Sequence, residues 1–336
     1  MNNKVFIIAE LSANHGGKIE VAKETIRAAK KAGADAIKLQ TYTADTITLD
    51  SDKPDFIIEG TIWEGRKLHD LYKEAHLPWD WHEELFQTAR EEGLVCFSSP
   101  FDHSAVDFLE ELNTPMYKIA SFEITDIPLI RYAASKGKPM IISTGIASYE
   151  DIELAVSACR EEGNEDITIL KCTSAYPATL EDANLLTMQL IAKDFDVKVG
   201  LSDHTLGITA PVVATALGAS VIEKHFILDK AIGGPDASFS LDVKEFAAMV
   251  EAVRNAEKSL GEATYNLKDS QVKNKQFARS LYIAQDMKAG DMVTIENVRS
   301  VRPGFGLHPK HLSEIKGKRV NQDLRKGTAF QLKYID

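Results

Sequence analysis

Short apolar runs recur eight times in the first two thirds of the chain, and amphipathic stretches lie between them. The runs cover residues 5–9, 36–40, 94–97, 116–119, 139–142, 167–170, 197–201 and 220–223. Helical spacing of apolar residues marks 20–31, 81–92, 104–112, 149–162 and 209–217. Gly33, Gly93, Gly163 and Gly218 stand where such helices would end, at the position that favours a left-handed residue. Strands this apolar need cover on both faces, which predicts a parallel sheet wrapped in helices. Eight such units in roughly 260 residues match the dimensions of a (β/α)8 TIM barrel. A doubly wound open sheet is the alternative. It is disfavoured because the turn after the first run has neither a GxGxxG nor a P-loop pattern.

A helix over 243–260 would close the barrel, so the catalytic domain is placed at 1–262. Residues 263–276 read as a polar linker, and 277–336 as a small second domain. Its strand candidate is Leu281-Tyr282-Ile283-Ala284, and turns are expected at 286–291 and 325–327. A unit of about 60 residues is marginal alone and gains from docking on another surface.

The net charge of −11 argues against nucleic acid as main partner. Three cysteines (Cys96, Cys159 and Cys172) without CxxC spacing argue against a disulfide frame or a structural zinc site. No apolar run approaches the roughly 18 residues of a membrane span. No secretory leader pattern opens the chain, so a cytoplasmic location is the expectation.

Active sites of such barrels form at the C-terminal ends of the strands. Here all eight ends carry polar groups: Glu10; Lys38 and Gln40; Ser98 and Ser99; Lys118, Ser121 and Glu123; Ser143, Thr144 and Gly145; Lys171, Thr173, Ser174 and Tyr176; Ser202, Asp203 and His204; Glu223, Lys224 and His225. Lys38 and Lys118 interrupt apolar strands, where an unpaired ammonium is costly to bury. Each needs a carboxylate partner or an anionic ligand, and the many hydroxyls nearby suit a small phosphate-bearing acid. Lys171 and Lys224 are placed to pair with acidic residues such as Glu223. His204 and His225 follow neighbouring strands and can share one divalent ion, or stand as a hydrogen-bonded pair without one. His69, His76, His82 and His103 lie in helical or loop stretches and are expected at the surface. Gly233-Gly234-Pro235-Asp236 follows the last strand, so Asp236 can hang over the site or belong to an ordinary turn.

Several of these segments resemble the sialic acid synthase family. They are Ile8-Ala9-Glu10-Leu11-Ser12-Ala13-Asn14-His15-Gly16-Gly17, Lys38-Leu39-Gln40-Thr41, Lys118-Ile119-Ala120-Ser121-Phe122-Glu123, Ser143-Thr144-Gly145, Gly200-Leu201-Ser202-Asp203-His204-Thr205 and Ile222-Glu223-Lys224-His225-Phe226. The C-terminal unit resembles that family's antifreeze-like, β-clip-like SAF domain through Ala278-Arg279-Ser280-Leu281, Val301-Arg302-Pro303-Gly304 and Gly306-Leu307-His308-Pro309.

The resemblance implies a transferase that condenses phosphoenolpyruvate with an amino sugar. It implies that Lys38, Ser99, Lys118, Ser121, Ser143, Ser174 and Ser202 hold phosphoenolpyruvate. His204 and His225 would bind Mn2+, Mg2+ or Co2+ and so join Glu10 and Glu123 as catalytic groups, the carboxylates handling protons. Gln40, Tyr176 and Asp236 would contact the sugar. Arg302 would reach from the SAF domain over a partner's barrel to the sugar's N-acetyl group, which implies a homodimer.

Glu10-Leu11-Ser12-Ala13-Asn14-His15 differs from the Glu-Ile/Ala-Gly-x-Asn-His form of sialic and legionaminic acid synthases, and no asparagine stands near Glu59-Gly60-Thr61. The opening, with the runs 41–49 and 55–81 that include Gly60-Thr61-Ile62-Trp63, looks like the branch of the family that makes pseudaminic acid, from 2,4-diacetamido-2,4,6-trideoxy-β-L-altropyranose with C–O cleavage; the missing asparagine, which in sialic acid synthases helps hold the sugar from the loop after strand two, departs from N-acetylmannosamine as substrate. N-acetylneuraminate or legionaminic acid formation, a pyruvate aldolase and a carbohydrate-binding protein are the alternatives.

Overall fold

The structure, a computed structural model, describes residues 4–335 and divides into two compact units, 1–261 and 262–336. In the first, β1 (Phe6–Glu10), β2 (Ala36–Thr41), β3 (Val95–Pro100), β4 (Tyr117–Ile119), β5 (Met140–Ser143), β6 (Ile167–Cys172), β7 (Lys198–Asp203) and β8 (Val221–His225) pair in parallel and close on themselves. Glu10 pairs with Lys38 of β2 on one side and with His225 of β8 on the other. The TIM barrel expected from the eight-fold alternation is therefore present, and the open sheet is not.

Helices fill the intervals: α1 (Ile19–Lys31), α2 (Ala44–Ile47), α3 (Leu68–Ala75), α4 (His82–Glu91), α5 (His103–Glu111), α6 (Ile127–Ala134), α7 (Tyr149–Glu161), α8 (Thr187–Phe195), α9 (Thr209–Ala216) and α10 (Val243–Leu260). Their buried residues follow helical spacing, as with Ala22, Ile26 and Ala29 on α1 and Phe246, Met249, Val250 and Val253 on α10. Ser148 with Asp151, and Asp242 with Glu245, form capping boxes that start α7 and α10. Four helices stop in one way. At α1, Gly33 takes φ +94°, its N–H donates to the Lys30 carbonyl and Ala34 N–H donates to that of Ala29. Gly93, Gly163 and Gly218 repeat this pattern after α4, α7 and α9. α2, α3, α6 and α8 have no matching expectation.

Most of the core lies between the strands and the helix ring. A separate layer fills the barrel itself with Ile8, Ala36, Phe97, Ile141, Leu170 and Val221. Gly200 makes room there, since a methyl on it would stand 2.4 Å from the Val221 carbonyl oxygen and 2.7 Å from Leu170 Cδ2.

The second unit has its own core around Leu281, Ile283, Val298, Val320 and Phe330. β9 (Ser280–Ile283) and β10 (Val298–Val301) pair antiparallel within it. The stretch 263–276, read as linker, contains the helix α11 (Asp269–Asn274). Among the described residues no helix is long and apolar enough to cross a membrane.

Two expectations need correction. His82 is fully buried, with Nε2 2.9 Å from Thr41 Oγ1, and His69 is buried with Nε2 3.0 Å from Asp45 Oδ1. Helix α4 packs its first turn inward, so a helical position did not mean an exposed one. Lys224 pairs with an acid, as expected, but that acid is Asp203, at 2.5 Å, rather than Glu223, and it also donates to the Thr205 carbonyl. Strand alternation explains this, because Lys224 and Asp203 face away from the barrel while Glu223 faces into it. The pair is fully enclosed and ties β7 to β8, so removing one partner strands a charge. Lys224→Met is expected to lose roughly 3–5 kcal/mol of stability in denaturant unfolding, and adding Asp203→Leu should recover most of it. An unchanged midpoint in the single variant would refute the account.

Candidate active site

Five strands of the barrel change character along one face. Ile8 is followed two residues later by Glu10, Ala36 by Lys38 and Gln40, Phe97 by Ser99, Ile141 by Ser143, and Val221 by Glu223 and His225. The period of two carries these side chains to the same side as the apolar filling, one layer higher. The barrel is thus dry below and polar above.

Lys38 and Lys118 meet in that upper layer. Lys38 Nζ lies 2.5 Å from Glu10 Oε2 and 4.0 Å from Glu223 Oε2, and it donates to Ser99 Oγ at 3.4 Å. Lys118 Nζ lies 3.5 Å from Glu223 Oε1 and donates to Ser143 Oγ at 2.6 Å. Ser202 Oγ donates to Glu223 at 2.9 Å. β4 and β8 are opposite in the ring, so the Lys118–Glu223 contact spans the barrel interior. Both lysines therefore have carboxylate partners. The two carboxylates differ in kind. Burial pushes Glu10 up to about 7 against the pull of Lys38. Glu223 is also penalised by burial, but Lys118 and Lys38 outweigh it and hold its carboxyl low. Near neutrality the two ammonium groups thus face one firm negative charge and one that is easily given up. Glu223 had no role of its own in the sequence reading; its spacing of two from His225 was the available signal.

Above this floor, Ser121 and Ser174 close around Gly145. Gly145 N–H donates to Ser121 Oγ at 3.1 Å, and a methyl on Gly145 would fall 1.9 Å from Ser174 Oγ. Ser174 Oγ has no hydrogen-bond partner. Lys171 turns to the Cys172 carbonyl at 2.7 Å and to Thr173 Oγ1 at 3.3 Å rather than to an acid.

The rings of His204 and His225 lie 5.2 Å apart, with Tyr176 4.6 Å from His204. His204 Nδ1 is 3.1 Å from the Thr173 carbonyl and 3.6 Å from Cys172 Sγ; burial disfavours the charged ring, but Cys172 and Thr173 outweigh it and raise the proton affinity of His204. His225 Nδ1 is buried without a partner and 3.7 Å from Asp236 Oδ2. Burial and the charges of His204, Lys38, Lys224 and Lys118 hold it neutral. A neutral imidazole with a free nitrogen lone pair is the form that ligates a metal ion; His225 has it and His204 takes it on releasing its proton, so the donor set fits one. Among the described residues, no three His, Cys, Asp or Glu side chains are grouped closely enough to cage an ion by themselves.

Asp236 reaches the site, held by Ser12 Oγ at 2.5 Å and Ala13 N–H at 3.4 Å. Gln40 Nε2 donates to Glu10 Oε1 at 2.9 Å and to Ser12 Oγ at 3.1 Å. Ser12 has φ +48°, costly for a residue with a side chain, and its hydroxyl joins the Glu10–Gln40 pair to Asp236. It was read only as part of a motif, since its left-handed backbone leaves no mark in the sequence.

Gln40, Ser121, Glu123, Tyr176, His225 and Asp236 line one side of a cavity of about 360 Å³. Another wall comes from the long connection between β2 and β3 and is mainly apolar, with Ile47, Ile58, Trp63, Leu68 and Leu71 beside Thr61 and Tyr72. Sequence reasoning assigned these no contact. Lys38 and Lys118 lie outside this lining, in the layer below. Arg302 stands in the second unit, beside a cleft that Arg299 and Lys326 also line.

The sequence profile of the NeuB family matches residues 25–265, and that of the SAF domain matches 278–333. The pseudaminic acid synthase of Campylobacter jejuni subsp. jejuni (serotype O:2) is 53% identical, over 98% of this chain and 96% of its own. The pseudaminic acid synthase of Helicobacter pylori is 49% identical, over 98% and 97%. Among solved structures, N-acetylneuraminic acid synthetase of Leptospira borgpetersenii serovar Hardjo-bovis, in complex with citrate, superimposes with a TM-score of 0.73. It is 33% identical, and the match covers 81% of this chain and 90% of that one.

Glu123 offers a test of the electrostatics. Its Oε2 is buried without a partner, and burial pushes the carboxyl up to about 7. The unfolded chain therefore loses this proton first as pH rises from the ordinary carboxylate range, and folding stability falls until the folded group also ionises near 7. Glu123→Gln should be spared that loss, gaining about 2 kcal/mol on its parent between about pH 5 and about pH 8, after discounting for partial exposure. Parallel stability–pH curves for the two proteins would rule out the buried charge.

Proposed function

The chain belongs to the NeuB family, and from that premise we propose that it condenses phosphoenolpyruvate with 2,4-diacetamido-2,4,6-trideoxy-β-L-altropyranose and water to give pseudaminic acid and phosphate. The observation that carries this reading is the two-lysine floor set beside two imidazoles at one mouth of the barrel. Trianionic phosphoenolpyruvate needs concentrated positive charge and hydroxyl donors, and Lys38 and Lys118 supply the charge. Ser99, Ser121, Ser143, Ser174 and Ser202 supply the hydroxyls. Glu10 is the carboxylate suited to yield when the anion arrives, because its proton affinity is already high.

His204 and His225, with Asp236 near the second, are the residues that would hold a divalent ion such as Mn2+, Mg2+ or Co2+. Bound there, the ion would supply Lewis-acid polarisation of the open-chain sugar's C1 aldehyde. The chain's own residues then set up the encounter. The lysines and serines fix phosphoenolpyruvate with C3 toward the aldehyde, which is chiefly a proximity effect. Gln40, Tyr176 and Asp236 orient the sugar. C3 attacks C1, C2 becomes electron-poor and water adds to it. The C–O bond to phosphate breaks, while the lysines neutralise the departing charge. Glu10 and Glu123, both with affinities near 7, are matched to deliver a proton to the new alkoxide and to take one from water.

Arg302 completes the proposal from a second copy of the chain, in a homodimer where each SAF domain serves the other barrel's sugar. Phosphate release is the direct assay. The altrose-configured sugar should be used in preference to its D-manno isomer and to N-acetylmannosamine; preference for N-acetylmannosamine would reassign the sugar and leave the family intact. His204→Ala should lower turnover at least ~100-fold and weaken divalent-ion binding in calorimetry. Unaltered ion binding would remove His204 from the metal site. Arg302→Ala should raise KM for the sugar rather than for phosphoenolpyruvate, and the reverse would end the crossed-domain arrangement.

A further inference from the structure

We infer that Trp63 is a specificity residue whose indole N–H donates to the C4 acetamido carbonyl of the sugar, an inference that rests on the reaction just proposed. Trp63 lies on the long β2–β3 connection, in a loop that fastens on itself. Ile58 N–H donates to the Arg66 carbonyl at 2.9 Å and Gly65 N–H to that of Ile58 at 2.8 Å. The loop presents the indole to the cavity wall. Its Nε1 is buried and has no partner in the protein. An indole N–H can only donate, so it is open to an acceptor that a ligand brings in place of water.

The surroundings specify which acceptor. Ile58, Leu68 and Leu71 make the wall beside it mainly apolar, with Thr61 and Tyr72 as its hydroxyl groups. A buried donor among aliphatic side chains matches an oxygen with a methyl attached to the same carbon, which is an acetyl group. The rings give the position along the sugar. Tyr176 lies 4.6 Å from His204 and 5.8 Å from Trp63, so Trp63 is one ring further from the imidazoles that flank the aldehyde. That distance suits the acetamido group three carbons from C1 rather than the one next to it, for which the proposal already uses Arg302.

The test compares kcat/KM for the diacetamido sugar with that for its 4-deoxy analogue, at saturating phosphoenolpyruvate, in the parent and in Trp63→Phe. Phenylalanine keeps an aromatic wall and deletes the donor. The parent should favour the diacetamido sugar by at least about 30-fold, and the variant should lose about 10-fold of that preference, mostly through KM for the sugar. An unchanged preference, or equal loss on both sugars, would overturn the role of Trp63. A drop confined to KM for phosphoenolpyruvate, or a lowered unfolding midpoint with the preference intact, would overturn it as well. No phosphate release from the diacetamido sugar by the parent is a separate result, which sinks the reaction itself and not just this residue.

Discussion

Two ammonium groups inside a barrel are the constraint around which this molecule is arranged. Lys38 and Lys118 are almost wholly enclosed, and water cannot serve them. Glu10 and Glu223 therefore come inward from β1 and β8, and serine hydroxyls stand beside the charges. The two acids are not equivalent. Burial raises both, but Glu223 is held low between both lysines, whereas Glu10 answers chiefly to Lys38 and is pushed further up by the charge of Glu223. Such a set is stable without ligand and still has room to exchange one internal negative charge for an external one.

The apolar filling beneath sets the height of this layer. Phe97, Ile141 and Leu170 occupy the lumen, so an anion can approach from one mouth only, the mouth that carries both imidazoles. On the outer face of the same strands, Asp203 and Lys224 lie next in sequence to His204 and His225. Alternation thus gives one dipeptide two tasks: one side chain fastens β7 to β8 and its neighbour enters the site.

Much of this was legible in the sequence, because each strand is a short apolar run and each run ends in a polar residue. The barrel followed from counting such runs, and the four cap glycines from their place after helical spacing. Strand ends were read too short. β3 runs on through Ser98, Ser99 and Pro100, and β6 through Lys171 and Cys172, since backbone pairing continues where hydrophobicity stops. Lys224 was harder to place, because three consecutive polar residues, Glu223, Lys224 and His225, give no hydropathy contrast to show which face each takes. The role of Ser12 was not legible, and the wall from the β2–β3 connection was marked only through the family resemblance near Glu59-Gly60-Thr61. The first depends on a backbone angle and the second on a long irregular segment folding back over the mouth, and neither leaves a periodic trace.

The loop from Ile58 to Arg66 closes through its own backbone and shares no ladder with the barrel strands. Its composition can drift without disturbing strand register or the charge cluster. Descendants of such a scaffold are thus free to trade one carbohydrate for another by rewriting a stretch of surface, while the bond-making machinery is inherited intact.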